Sequence, residues 1–169
     1  MPLKKNKALR TGKNKSSSWP VRAVMLDLAR QKETLESIER FISFAHDWGY
    51  NTLVLYLEGV IRTKHFPYRA ARDSYTPDDM RRIVKMADKA GMEVIPAVPT
   101  LGHVEHFLEC RQLKALAETG SWAHNMFCPS NEGTYRFLEK YFSDLIPLFP
   151  GKQVHINCDE AWALSLIHI

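Results

Sequence analysis

Glycine is scarce in this chain, eight residues in 169, and no two of them lie close enough to build a phosphate-cradling loop. That argues against the nucleotide-binding kind of α/β domain, whose first turn needs glycines where backbone N–H groups approach a pyrophosphate. Cysteine is scarce too. Cys110, Cys128 and Cys158 are odd in number and widely spaced, which fits neither a disulfide framework nor a zinc knuckle, so reduced, partly buried thiols are expected. No apolar run reaches the ~18 residues of a membrane span, and the first 18 residues lack the apolar stretch of a secretory leader. A cytoplasmic location with no membrane partner is the expectation. Acids are missing from residues 1 to 17, which hold six of the 23 Lys and Arg residues; the rest of the chain has 17 bases against 19 acids, a net charge of −2. The basicity therefore belongs to a flexible tail, residues 1–18, and the body offers no electrostatic reason to expect nucleic acid. With 45% hydrophobic residues, the remaining 19–169 can bury the core of one domain.

What the chain does contain is a regular alternation. RAVMLDL (22–28) is a nearly continuous apolar run, the pattern of a strand covered on both faces. In residues 34–48, Leu35, Ile38, Phe41, Ile42 and Ala45 keep helical spacing, and Gly49 stands where a helix commonly ends. NTLVLYLE (51–58) reads as a second strand ending in an acid. Thr76 then serves as N-cap, Pro77 takes the first helical position, and Asp78 and Asp79 lie in the first turn, with Met80, Ile83, Val84 and Ala87 as the buried stripe. MEVIPAVP (92–99) is the third strand; Pro96 inside it predicts a bulge or an early end. An interrupted helix follows over 104–118. PSNEGTYRFLEKYFSDLI supplies a capped helix with Tyr135, Leu138, Tyr141, Phe142 and Leu145 on one side, and VHINC (154–158) is the fourth strand.

Strand, helix, strand in this order builds right-handed crossovers and a parallel sheet. Polar groups stand just after three of the strands: Glu58, then Gly102-His103, then Asp159-Glu160. Barrel enzymes place their chemistry at the carboxyl ends of strands in this way. The fold class is therefore α/β, and about four βα units correspond to the first half of a (β/α)8 TIM barrel.

RAVMLDLAR, LVLYLE, YTPDDM, EVIPAVPTLGHVEHF and VHINCDEA together resemble the family 20 glycoside hydrolases, the β-N-acetylhexosaminidases, from about residue 21 to 163. The resemblance implies removal of terminal β-linked N-acetylhexosamine by substrate-assisted, retaining hydrolysis of an amino-sugar glycoside or oligosaccharide, with no cofactor and no metal. It implies Glu160 as general acid/base, Asp159 as the residue orienting the acetamido group, and Arg22, His103 and Glu58 as substrate-binding residues. Adjacency of the two acids has its own logic. An ordinary glycosidase needs carboxylates facing each other across the bond, whereas neighbours on a strand point to opposite sides. If the acetamido oxygen of the sugar is the nucleophile, one acid protonates the leaving oxygen and its neighbour orients the acetamido N–H.

His155 is expected in the core, His106 and Trp162 as packing or surface residues, and Phe66, Tyr68 and Tyr75 as rim or core aromatics. The alternation stops after strand 4, and AWALSLIHI departs from the family pattern after about Leu164. The expectation is a chain truncated after strand 4, inactive alone and able to self-associate through exposed sheet edges. The alternative is a non-catalytic carbohydrate-binding or structural half barrel. A metal-dependent hydrolase or an aldolase would show His-x-His after strand 1 or a Schiff-base lysine on a strand, and neither is present.

Overall fold

The computed structural model describes residues 19–118 and 125–161. The basic tail and Trp162 lie outside the described residues. Four strands, β1 (Ala23–Asp27), β2 (Thr52–Tyr56), β3 (Glu93–Pro99) and β4 (His155–Asn157), form one parallel sheet in the order β1-β2-β3-β4. The strand-to-strand connections carry α1 (Leu35–Asp47), α2 (Pro77–Lys89), and a third segment with α3 (Glu105–Leu108) and α4 (Glu132–Leu145).

Local chemistry fixes the helix ends. The Thr34 side chain accepts from the Ser37 amide at 3.1 Å to start α1. At α2, Thr76 and Asp79 form a reciprocal capping box, with Pro77 where a missing N–H costs nothing. Gly49 and Gly91, just past α1 and α2, have φ of 87° and 71°, backbone that a side chain would strain. The predicted buried stripe of α2 is present as Met80, Ile83 and Ala87. In α4 the buried face is Thr134, Phe137, Tyr141 and Leu145, and Tyr135 lies on the exposed side, with its hydroxyl donating to the Pro129 carbonyl.

The helices pack on one face of the sheet. Leu53, Leu55, Val94 and Val98 meet Ile38, Ile42, Met80, Ile83, Tyr141 and Leu145 in a single core. The other face, carrying Met25, Asp27, Val54, Tyr56, Ile95, Ala97, His155 and Asn157 at alternate positions, is more open. Burial of β1 accordingly alternates, and Met25 is half exposed. The apolar run that predicts a strand covered on both faces is covered on one.

Pro96 sits mid-strand without a bulge, in register with Leu55. Residues 93 and 97 of β3 bond to β2, through Glu93 N to Asn51 O and Leu57 N to Ala97 O, so the position of Pro96 faces the β4 side. The β4 ladder begins only at His155, opposite Ala97. The missing N–H of Pro96 thus falls where no partner strand waits for it.

Candidate active site

The strands rise in parallel and in register, so their carboxyl ends share one edge. Asp27, Tyr56, Ala97 and His155 lie at one level across the sheet. At that edge, and reaching down the open face to Met25, a mouth of about 460 Å³ is lined by Arg30, Tyr56, His103, His155, Asn157 and Asp159, among others. That volume is within the usual range for small-molecule sites.

Strand β4 ends at Asn157, and the chain carries Asp159 and Glu160 directly over the turn after β3. The Thr100 amide donates to Asn157 O at 2.8 Å, and the Thr100 hydroxyl meets Cys158 Sγ at 3.3 Å. Gly102 passes so close to the acids that a Cβ there would stand 2.2 Å from the Asp159 carbonyl oxygen and 2.9 Å from that of Glu160. Only glycine permits this approach. His103 then places Nε2 3.0 Å from Glu160 Oε2 and 4.0 Å from Asp159 Oδ2. Both acids are about half exposed, at 59% and 52% of the side chain; Asp159 lines the mouth, and Glu160 stands beside it against His103.

Glu58, His103 and Glu160 are the three non-glycine residues with positive φ among the described residues, at 38°, 55° and 50°. Such backbone costs of order 1–3 kcal/mol per residue and persists where packing over-determines it. All three fall at strand-end positions singled out from the sequence.

Glu58 is fully buried. Its Oε1 accepts from Arg30 Nη1 at 2.5 Å and from the Tyr56 hydroxyl at 3.3 Å, while Tyr141 donates to its backbone oxygen at 3.3 Å. His106 Nδ1 stands 3.0 Å from Glu58 Oε2 but off the line a hydrogen bond needs, so both buried atoms stay without a hydrogen-bond partner. Burial pushes the Glu58 carboxyl up and, with help from Arg69 and Arg30, pulls His106 down to about 4. His106 is therefore a neutral, largely buried packing residue against Glu58, in line with its expected packing role, and does not line the mouth.

Arg22 is not in the mouth. It precedes β1, at the opposite end of the sheet from the acids, and its Nε donates to the Gly49 carbonyl at 2.5 Å while Nη1 donates to that of Trp19 at 3.0 Å. The arginine that lines the mouth is Arg30. Asp27 Oδ1 accepts from the amides of Ala29 and Arg30, at 2.8 and 3.1 Å, and that turn at the tip of β1 aims Arg30 across the sheet. The signal was present in the sequence: LDLAR puts a turn-forming acid on a strand tip and a cation three residues on. His155, expected in the core, is exposed on the open face, with Nδ1 2.5 Å from Asn157 Oδ1. Phe66 and Tyr75 are core residues, and Tyr68 is exposed but not among the residues lining the mouth. Cys110 and Cys128 are partly buried free thiols and Cys158 is exposed. No cluster of three metal-binding side chains occurs among the described residues.

A profile described as "Glycosyl hydrolase family 20, catalytic domain" matches residues 19–165. The chain belongs to this family. Human hexosaminidase D is 28% identical over 157 residues, covering 89% of this chain and 31% of that protein. The chitobiase of Flavobacterium johnsoniae matches with a TM-score of 0.74 at 25% identity, over 83% of this chain and 24% of that one. A mutant Streptomyces plicatus β-hexosaminidase in complex with GlcNAc matches with a TM-score of 0.75 at 24% identity, over 85% of this chain and 33% of that one. The chain thus spans less than half the length of the curated relatives it matches. The four strands and three helical connections of the described residues are consistent with a family 20 half barrel.

Proposed function

We propose that the protein carrying this chain hydrolyses terminal β-linked N-acetylhexosamine by substrate-assisted, retaining catalysis. The observation that carries this reading is the pair Asp159 and Glu160 at the tip of β4, with His103 3.0 Å from Glu160 and 4.0 Å from Asp159. Glu160 protonates the leaving oxygen and later takes a proton from the attacking water. Asp159 orients the acetamido N–H and balances the positive charge that grows as the acetamido oxygen attacks the anomeric carbon. His103 holds Glu160 in place. The arginine contact to the sugar hydroxyls falls to Arg30, which the mouth contains, and the family profile over residues 19–165 supports the substrate class.

The unpaired sheet edges support a second proposal, self-association of the isolated chain. Among the described residues, β1 and β4 each have one unpaired edge; Met25 on the open face is 50% exposed, and Ile156 on the opposite face of β4 is 59% exposed.

The test is hydrolysis of 4-nitrophenyl N-acetyl-β-D-glucosaminide beside the plain 4-nitrophenyl β-D-glucoside. Strong preference for the acetamido substrate is expected. Equal rates on both would refute the substrate-assisted reading.

A further inference from the structure

The loop after β2 spends unusual structure on one carboxylate. Glu58 takes a left-handed backbone, φ 38°, and its carbonyl is tied down by the buried Tyr141 hydroxyl. The next residue, Gly59, is pressed against α3: a Cβ there would stand 3.1 Å from Phe107 Cδ1 and 3.2 Å from His106 Cβ. The Glu58 side chain beside this contact has no exposed surface and is not among the residues lining the mouth.

The carboxylate therefore cannot meet a ligand in the mouth. It meets Arg30. Oε1 accepts from Nη1 at 2.5 Å and from the Tyr56 hydroxyl at 3.3 Å, and the guanidinium carbon lies over the Tyr56 ring, 5.9 Å from its centroid. Carboxylate and ring together form a socket for one end of the guanidinium. Arg30 itself is 54% exposed and lines the mouth with Asp159. A guanidinium has five N–H donors in a rigid plane, so fixing one of them fixes the direction of the rest. A free arginine would instead lose rotamer entropy each time it gripped a ligand.

We infer that Glu58 is a positioning residue: it touches no sugar, and with Tyr56 it holds the Arg30 guanidinium preformed across the mouth. This rests on the reading of the mouth as an N-acetylhexosamine site. The same geometry makes Arg30 irreplaceable by lysine, whose point charge can keep the ion pair but not the oriented fork.

The test has two arms. In the isolated chain, the side-chain ¹H–¹⁵N signals of Arg30 report its mobility without any ligand. A distinct, slowly rotating guanidinium is expected in the wild type and in Arg22→Ala, and its collapse into the averaged arginine signals in Glu58→Gln. An unchanged Arg30 signal in Glu58→Gln overturns the inference. If Glu58→Gln does not fold, Glu58→Asp keeps the charge but draws the carboxylate back from Nη1 by one methylene, and is read in the same way. The second arm is a double-mutant cycle on 4-nitrophenyl N-acetyl-β-D-glucosaminide. Arg30→Ala and Glu58→Gln each lower kcat/KM about 10- to 100-fold, mostly through KM, and the double variant is no worse than Arg30→Ala within about twofold. Losses that multiply would mean that Glu58 acts on its own, and would overturn the inference. A merely structural Glu58 would lower the thermal midpoint without coupling to Arg30. If the wild type shows no turnover of this substrate, the proposed function fails, while the Arg30 signals still decide the role of Glu58.

Discussion

Replacing Gly102 by alanine adds one methyl group, and the structure states where it would go. The new Cβ would sit 2.2 Å from the Asp159 carbonyl oxygen and 2.9 Å from the Glu160 carbonyl oxygen. Both neighbours are backbone, so no rotamer change can relieve the clash. A normal contact requires the turn after β3 and the acid pair to separate by about 1 Å, and a misplacement of that size at reacting groups costs about 10²-fold in rate. The same overpacking lowers stability by about 1–3 kcal/mol. Gly59→Ala is the internal comparison: its Cβ would meet side-chain atoms of Phe107 and His106 at 3.1 and 3.2 Å, which can yield by tenths of an ångström. The assay is kcat/KM on 4-nitrophenyl N-acetyl-β-D-glucosaminide together with the thermal midpoint of each variant. Gly102→Ala is expected to lose about 100-fold in kcat/KM while remaining folded at the assay temperature, and Gly59→Ala about tenfold or less. Full activity in Gly102→Ala would refute the claim that this turn carries the acids into position.

Arg22→Ala loses two side-chain bonds to the carbonyls of Gly49 and Trp19, so it should lower stability by about 1–2 kcal/mol and leave kcat/KM unchanged; urea unfolding and kinetics check the two halves. His106, pulled down to about 4 in the fold chiefly by burial, titrates near 6.5 when unfolded. The unfolded chain takes up this proton first as pH falls, so the contribution of neutral His106 is full above about pH 6.5 and is lost progressively down to about 4, by up to ~3 kcal/mol. The raised Glu58 carboxyl acts in the opposite sense and is present in His106→Asn as well, so the difference in unfolding free energy between wild type and variant isolates the histidine; an equal acid sensitivity of the two would contradict its placement. The isolated chain should sediment as more than a monomer at micromolar concentration, and Met25→Lys on the open face should shift it toward monomer.

The sequence pattern made much of this architecture legible because the signals were local. Thr76, Pro77 and Asp79 form the cap their spacing announces, and the strands end within a residue or two of the apolar runs. Position along a strand also fixes level, which is why Asp159, Glu160 and His103 could be placed at one edge. What a linear pattern does not carry is aim. Arg22 and Arg30 flank the same strand, and the one in the mouth is chosen by the Asp27 turn that redirects the chain. The left-handed backbone at Glu58 is likewise invisible in LVLYLEG, yet it accompanies an acid at a strand end that is fully buried and does not line the mouth. Pro96 misleads for a related reason: its cost depends on which neighbour its missing N–H faces, and that is a property of the pairing.

The central claim is that adjacent Asp159 and Glu160 divide the work between the acetamido group and the leaving oxygen. It is tested most directly by kcat/KM of the protein carrying this chain, as wild type, Asp159→Ala and Glu160→Gln, on an N-acetyl-β-D-glucosaminide with a poor leaving group and on the matching plain glucoside. Glu160→Gln is predicted to lose at least about 10²- to 10⁴-fold on the acetamido substrate, the usual worth of a general acid. Asp159→Ala is predicted to erase the preference for the acetamido substrate over the glucoside. Activity that survives both substitutions, or an acetamido preference untouched by Asp159→Ala, would contradict the account.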